Sequence, residues 1–244
     1  MATTVKISDT LNWITAFLVQ RPTTGVGGIT NEPGLTSANL VMQSILAPPF
    51  KWEWNRKSAT AAITTVAGTS DYTIALSDFG YLEKATLVNP AAVAPLAKNF
   101  ELNIFKVLSN EGKQNRPQSL AILLDDNTGN ITFRLFPVPD LVYTVDLLYQ
   151  KAAILATTLG NTTWTPIPDK FAFLYERGLL AQLQGMYNGQ LYAMGMELFF
   201  RQLVAAAEGL TETEKNIFLE DSLRSVKMRA AEITGIQQGK AART

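Results

Sequence analysis

The sequence predicts an α+β protein: a helical bundle built from both ends of the chain, an inserted antiparallel β-sandwich or barrel, and a separate C-terminal helix. Three observations carry that reading. Apolar residues recur at helical spacing up to Pro48 and again after Pro168, but alternate with polar ones in between. The middle zone consists of short apolar runs separated by turn residues, as in a small antiparallel sandwich or barrel. A capping signal near Thr211 marks off one last helix. The expected boundaries are 1–49 and 164–209 for the bundle, 50–163 for the β-domain and 210–244 for the terminal helix and tail.

The elements follow in order. Ser8 or Asp9 can cap a helix carrying Leu11, Ile14, Phe17 and Leu18 on one stripe. Arg21 to Pro33 is rich in Gly and Pro and reads as a loop. A second helix is expected from Thr36 to Ala47, stopped by Pro48-Pro49, because a proline lacks the N–H and clashes with the preceding turn. Phe50, Trp52 and Trp54 alternate with polar residues and predict a strand with three aromatics on one face. Further β-like runs are Thr60–Val66, Tyr72–Leu76, Leu82–Val88, Leu120–Leu124 and Ile131–Phe136. Asp125 to Asn130 forms a hairpin signal between the last two. Tyr143, Val145, Leu147 and Tyr149 line one face of another strand; Phe100–Leu108 fits either a helix or a strand. Pro168-Asp169 opens a helix to Tyr187, with Pro tolerated near a helix start and Asp favoured there. Asn188-Gly189 breaks it, and the next helix runs from Gln190 to Glu208 with Gly209 beyond its end. Thr211 and Glu214 have the spacing of a capping box, and Gly235 is the expected stop of the final helix.

Composition excludes many function classes. The 244 residues include no His and no Cys. A disulfide framework, a His or thiolate metal site, a Ser-His-Asp triad and an imidazole base are all impossible. No cofactor or metal is expected, nor an enzyme, since the usual acid–base residue is missing. Glu176 and Glu197 are the carboxylates that neighbouring helices could bring together; the plainer reading is a solvated helix face. The 21 basic and 21 acidic residues cancel, which argues against a dedicated nucleic-acid binder. Charged residues are only 17 %, against about 25 % in typical domains, so the surface associates easily. The N-terminus opens no apolar leader segment. The most apolar stretch, residues 171–207, is broken by Glu176, Arg177, Glu197 and Arg201, so no membrane span is expected.

Few constellations suggest chemistry. Gly25-Val26-Gly27-Gly28 lacks the strand before and the helix after that a phosphate-cradling loop needs, and reads as a plain loop. Asp125-Asp126-Asn127 clusters oxygens, but Asn130 and Phe136 stand where a calcium loop needs Gly and Glu, so a hairpin turn is the better reading. The Phe50-Trp52-Trp54 face suits a core better than a base-stacking platform, which would need a basic groove.

The helical end of the chain is more informative. Gly178, Ala181 and Gly185 share one side of their helix and allow a close neighbour. Both long helices are apolar on more than one side, with Leu198 and Phe199 on different faces of the second. Inter-subunit packing through Gly178, Ala181, Gly185, Leu198 and Phe199 is therefore expected, because a chain this small cannot hide so much apolar surface. In the last helix Leu219, Leu223, Val226, Ala230 and Ile233 are spaced 4, 3, 4, 3, a narrow seam flanked by Arg224 and Lys227. Two readings stay open: a terminal helix packed on its own domain, or a C-terminal docking helix that enters a partner's groove.

At this point the order of motifs becomes recognisable. A helical start leads into Pro48-Pro49-Phe50-Lys51-Trp52-Glu53-Trp54-Asn55. Ala67-Gly68-Thr69-Ser70-Asp71-Tyr72-Thr73-Ile74, Phe79-Gly80-Tyr81-Leu82-Glu83-Lys84-Ala85 and Phe136-Pro137-Val138-Pro139-Asp140-Leu141 follow, and Ile167-Pro168-Asp169-Lys170-Phe171 opens two long helices. Over roughly residues 8–230 this resembles the head-to-tail adaptor (connector) proteins of tailed bacteriophages, including the tail tubular protein A type of podophages.

The resemblance implies a structural protein of the virion neck, present in the host cytoplasm before assembly. Such adaptors form a homo-oligomeric ring, usually of twelve copies, beneath the portal protein. They grip the portal by their C-terminal segments, which here means Leu219, Leu223, Arg224, Val226, Lys227, Ala230 and Ile233. They also present a surface to the tail or a stopper protein, and let DNA pass without sequence recognition. The β-zone is larger than in short helical adaptors, which leaves the tail type open. The alternatives are another neck ring, such as a stopper or tail terminator, and a β-sandwich module that binds a ligand or receptor through exposed aromatics.

Overall fold

The computed structural model describes residues 3–18, 33–89, 92–98, 114–126, 128–158, 162–185 and 188–241. Gly25–Gly28, Phe100–Leu108, Asn127 and Tyr187 lie outside them, as do the side chains of Phe17 and Leu18. The fold is α+β with an inserted β domain, and the chain forms two compact units: Met1–Asn55 with Ala153–Thr244, and Arg56–Ala152.

The first unit is helical. Its elements are α1 (Ile7–Leu18), α2 (Gly34–Leu46), α3 (Ala172–Gln184), α4 (Gly189–Ala206) and α5 (Glu212–Ala241). Ile7, Leu11 and Ile14 bury the α1 stripe, and Val41, Met42 and Ile45 that of α2. The two halves of this unit, separated in sequence by the insertion, are stitched by backbone bonds. Lys6 pairs with Thr163 in an antiparallel bridge, Ile7 N–H donates to Thr162 (2.9 Å) and Trp164 N–H to Val5 (3.3 Å). Asn39 makes a reciprocal pair with Ala156, donating to its carbonyl (3.0 Å) and accepting from its N–H (2.8 Å). Trp164 is fully buried. Its indole stacks on Tyr175 of α3 with centroids 4.5 Å apart, and its Nε1–H donates to Thr10 Oγ1 of α1 at 3.0 Å.

The termini of these helices are fixed by side chains. Asn188 caps α4, accepting from the N–H groups of Gln190 and Leu191. Thr211 and Glu214 form the expected capping box: Glu214 N–H donates to Thr211 Oγ1 (3.2 Å), and Thr211 N–H to Glu214 Oε2 (2.8 Å). Asp169 does more than favour a helix start. It accepts from the N–H and Oγ1 of Thr4 and the N–H of Val5, tying the first residues to the 3-10 turn Asp169–Phe171 that leads into α3. Gly235 does not end α5, which continues to Ala241. A single glycine costs a helix interior only about 1 kcal/mol, and a stop needs the left-handed turn that Gly209 supplies after α4 (φ +83°).

The segment around Phe50, Trp52 and Trp54 is not a strand. It has no regular secondary structure through Trp52 and closes into a 3-10 turn at Glu53–Asn55. The rings still share a face, with Phe50 stacked on Trp52 (5.9 Å) and Trp52 on Trp54 (5.5 Å). Phe50 and Trp52 are core residues of the helical unit, and Trp52 Nε1–H donates to the Ile45 carbonyl (2.7 Å). The alternation is real, but an irregular stretch ending in a tight turn carries it.

The second unit holds seven strands, β1 (Arg56–Thr64), β2 (Asp71–Ala75), β3 (Phe79–Asn89), β4 (Ala92–Lys98), β5 (Ser119–Asp125), β6 (Asn130–Phe136) and β7 (Thr144–Lys151). They lie in the order β1-β7-β3-β4-β5-β6-β2, a nearly closed, barrel-like sheet, antiparallel except for β4 and β5. Inward residues alternate as the sequence requires: Val145, Leu147 and Tyr149 from β7 meet Leu82 and Leu87 from β3 and Ile131, Phe133 and Leu135 from β6. β4 was not legible, because Pro95 interrupts it and a proline cannot donate to the ladder.

The Asp126 turn joins β5 to β6. Asp126 accepts from the N–H groups of Thr128 and Asn130 and from Asn130 Nδ2, which holds its carboxyl well below the usual carboxylate range. Gly129 is required there: φ is +96°, and a Cβ would sit 2.7 Å from Ser77 Cα.

Two outcomes follow for stability. Trp164→Ala removes a stacked, hydrogen-bonded ring joining α1 to α3 and should destabilise the chain by about 3–5 kcal/mol in denaturant titration, with Trp164→Phe losing less. The second outcome concerns pH. Hydrogen bonds from Thr4 lower the Asp169 carboxyl below its ordinary 3.8, those from Arg134 lower Asp71, and those from Thr211 lower Glu214. The folded chain therefore binds fewer protons than the unfolded one in this range. The stability from these groups is complete above the ordinary carboxylate values and is lost as pH falls through the folded ones. With no His or Cys to titrate, melting temperature should be flat from about pH 5.5 to 8 and fall below about pH 4.

Candidate assembly surface

The described residues of the helical unit carry an exposed apolar surface. No group of three or more Asp or Glu residues converges as a metal site among them. Glu197 is paired with Arg201 on its own helix (2.8 Å), while Glu176 lines a cavity with Trp13, Phe173, Arg177, Leu180 and Gln202. Among the described residues, no helix is long and apolar enough to cross a membrane.

The small residues of α3 make their close contacts within the chain. A Cβ on Gly178 would lie 2.8 Å from Val41 Cγ1 of α2 and 2.9 Å from the Phe199 ring of α4. Ala181 is buried, 2.8 Å from where a Cβ on Gly195 would stand, and Gly185 faces the Tyr192 ring at 2.7 Å by the same measure. These residues let α2, α3 and α4 approach closely, and Phe199 fills the space between them. Leu198 points away from that core and is 48 % exposed.

Leu198 belongs to a continuous apolar surface that the sequence did not delimit. One cavity of about 310 Å³ is lined by Trp13 of α1, Phe173 and Leu180 of α3, and Gln202 of α4. A second of about 210 Å³ lies between Leu180 and the α4 residues Leu191, Met194 and Leu198. Arg177 and Leu180 line both, so the two form one groove. Trp13, Phe173, Leu191, Met194 and Leu198 are all exposed along it. The signal was present: these are the apolar positions of α1, α3 and α4 left over once the core stripe is assigned.

α5 divides its seam. Val226 and Ala230 are buried against the helical unit, with Leu219 partly buried beside them. Phe218, one residue off the seam, packs edge-on against Phe50 (4.7 Å) and Phe200 (5.7 Å). Leu223 and Ile233 are half-buried, and Arg224 and Lys227 are exposed. Ile217, Met228 and Ile236 are exposed on the same helix.

In the β unit, Val66, Leu141 and Val142 form an exposed apolar tip. The buried Thr65 holds their two loops together: its N–H donates to Tyr143 O (2.8 Å), its Oγ1 donates to Leu141 O (2.9 Å) and accepts from Tyr143 N–H (2.7 Å).

The chain combines a helical unit, an inserted barrel and an exposed apolar groove. The SU10 adaptor protein family model matches residues 36–224, and the chain belongs to that family. It is thus a phage head–tail adaptor with a structural role in viral assembly. No curated protein matches the chain.

A packed position and an exposed one predict different mutant behaviour. Gly178→Leu should destabilise the isolated chain by about 1–3 kcal/mol through overpacking, read as a lowered denaturation midpoint. Leu198→Ser should leave that midpoint within about 0.5 kcal/mol.

Proposed function

We propose that this adaptor forms a ring in the virion neck, joining the capsid portal protein to the tail or a stopper, and that DNA passes through its lumen without sequence recognition. The observation that carries this reading is the large apolar groove on α1, α3 and α4, left uncovered in a single chain of an adaptor family. Twelve copies is the number the motif resemblance supports, and the same resemblance supports the tail tubular protein A type. The even balance of 21 basic and 21 acidic residues suits a channel that lets DNA slide without gripping it. The host cytoplasm is where the chain waits before assembly.

Portal attachment falls to α5, through Leu223, Arg224, Lys227 and Ile233. Leu219, Val226 and Ala230 hold the proximal helix on its own unit. The exposed tip at Val66, Leu141 and Val142 is the surface offered to the tail side.

Electron microscopy of the purified protein mixed with portal tests the whole reading. A ring capping the portal is expected; a monomer that ignores the portal overturns it. Truncation after Ala230 should keep the fold and weaken attachment, whereas truncation after Gly209 should destabilise the helical unit, because it removes Phe218, Val226 and Ala230. Attachment should also weaken as salt rises, through Arg224 and Lys227.

A further inference from the structure

We propose that Asn188-Gly189 is a deamidation site, kept unreactive by the seating of α5 on the start of α4 and opened when α5 lifts. It rests on contacts within the helical unit and is independent of the ring reading.

The sequence holds one Asn-Gly pair. Glycine has no side chain to shield its nitrogen from the preceding carboxamide, and its backbone turns freely. The Gly189 nitrogen forms a bond to Asn188 Cγ and gives up its proton to water. The bond from Cγ to the amide nitrogen breaks, and ammonia leaves. The product is a five-membered succinimide, which water then opens. Cleavage at Cγ restores the chain with aspartate. Cleavage at the main-chain carbonyl carbon leaves the chain running through Cγ, as isoaspartate with one extra methylene in the backbone. Water is the one co-reactant.

The structure holds the reacting atoms apart. Asn188 is exposed, so water reaches it. Its carboxamide oxygen accepts from the N–H groups of Gln190 (2.8 Å) and Leu191 (3.2 Å), which pins Cγ over the first turn of α4. Its backbone, at φ −157° and ψ 118°, turns the Gly189 nitrogen away from Cγ, far from the aligned approach that attack needs. Ring closure therefore requires the peptide between the two residues to rotate. Asn188 N–H donates to Gln184 O and its carbonyl accepts from Tyr192 N–H, both at 3.0 Å, and each opposes that rotation. α5 opposes it further. Gly189 is buried beneath it: a Cβ there would meet the Ala230 carbonyl oxygen and lie 2.6 Å from Thr234 Oγ1. The buried Val226 and Ala230 hold that part of α5 in place.

The two products differ in consequence. Aspartate caps a helix as well as asparagine does, and its charge suits the N-terminal end. Isoaspartate lengthens the backbone where Gly189 has no room, so α5 cannot reseat. The reaction converts a transient lifting of α5 into a permanent one.

Peptide mapping by mass spectrometry tests this on the full chain, incubated at about pH 8 in buffer and in denaturing urea. In urea the Asn188 peptide should convert into two isomeric acidic products. In buffer the conversion should be at least about tenfold slower, because it proceeds only through local opening. Phe218→Ala and Val226→Ala each remove a packing contact of α5, and should speed conversion in buffer severalfold with circular dichroism unchanged. Asn188→Ser keeps a cap and should show no conversion. Conversion as fast in buffer as in urea overturns the lock, and none in urea overturns the site. Folded Phe218 and Val226 variants that convert no faster than wild type overturn the role of α5. Hydrogen exchange on the wild-type chain gives the same answer without a variant: the amides of residues 189–191 and 230–234 should open together, and independent opening overturns the coupling.

Discussion

The helical unit depends on one buried ring. Its sequence is cut in two by the β unit, so helices from residues 3–55 must find helices from beyond residue 162. Trp164 sits where they meet. It follows the bridge between Lys6 and Thr163, donates to Thr10 on α1, and lies flat on Tyr175 of α3. A stacked pair adds about 0.5–1.5 kcal/mol beyond the area it buries, and a buried indole N–H needs its partner. Position and partner therefore select one geometry for three segments. The Asn39–Ala156 pair and the Asp169 contacts to Thr4 and Val5 repeat the device on either side.

Once α1 and α3 are set, small residues decide how closely the other helices approach. Gly178 leaves room for Val41 and Phe199, and Ala181 and Gly195 face each other across α3 and α4. The core side of these helices is filled by that packing. Trp13, Phe173, Leu191, Met194 and Leu198 are then surplus to it. Burying a side chain of this size contributes about 1.5–3 kcal/mol, so five uncovered together amount to a strong drive toward association, offset by the entropy of ordering the partners. Apolar excess in the sequence and groove in the structure are the same quantity seen at two levels.

What could be read from the sequence was what local pattern controls. The alternation of Val145, Leu147 and Tyr149, the Thr211–Glu214 box and the Asn188 cap are each set by residues within a few positions of one another. The failures have equally local causes. Alternation at Phe50, Trp52 and Trp54 is as compatible with an irregular segment entering a 3-10 turn as with a strand, and only tertiary packing in the helical unit chose between them. Pro95 hid β4 because its ladder partner Thr86 lies on another strand. The candidate assembly surface was half legible. Helices apolar on several sides announced that something must be covered, but which face the chain covers itself is a contest among three helices. Gly178, Ala181 and Gly185 proved to face their own neighbours.

α5 carries the same contest along a single element. Its seam has one spacing throughout, yet its environment changes with position. Val226 and Ala230 are shut against the helical unit, whereas the residues after Ala230 have no buried side chain among those described. A uniform pattern thus serves two ends. The proximal half is anchored by Phe218 between Phe50 and Phe200, which gives the distal half a rigid base. A free helix of the distal length would be marginal in water, since nucleation is unfavourable and isolated segments shorter than about 12–15 residues rarely hold. Continuous with an anchored helix, it needs no nucleus of its own. Gly235 is tolerated there for the same reason: its cost of about 1 kcal/mol falls on propagation, not initiation. In the docking proposed above, a helix continuous with an anchored segment gives up less conformational entropy on contact than a disordered tail would.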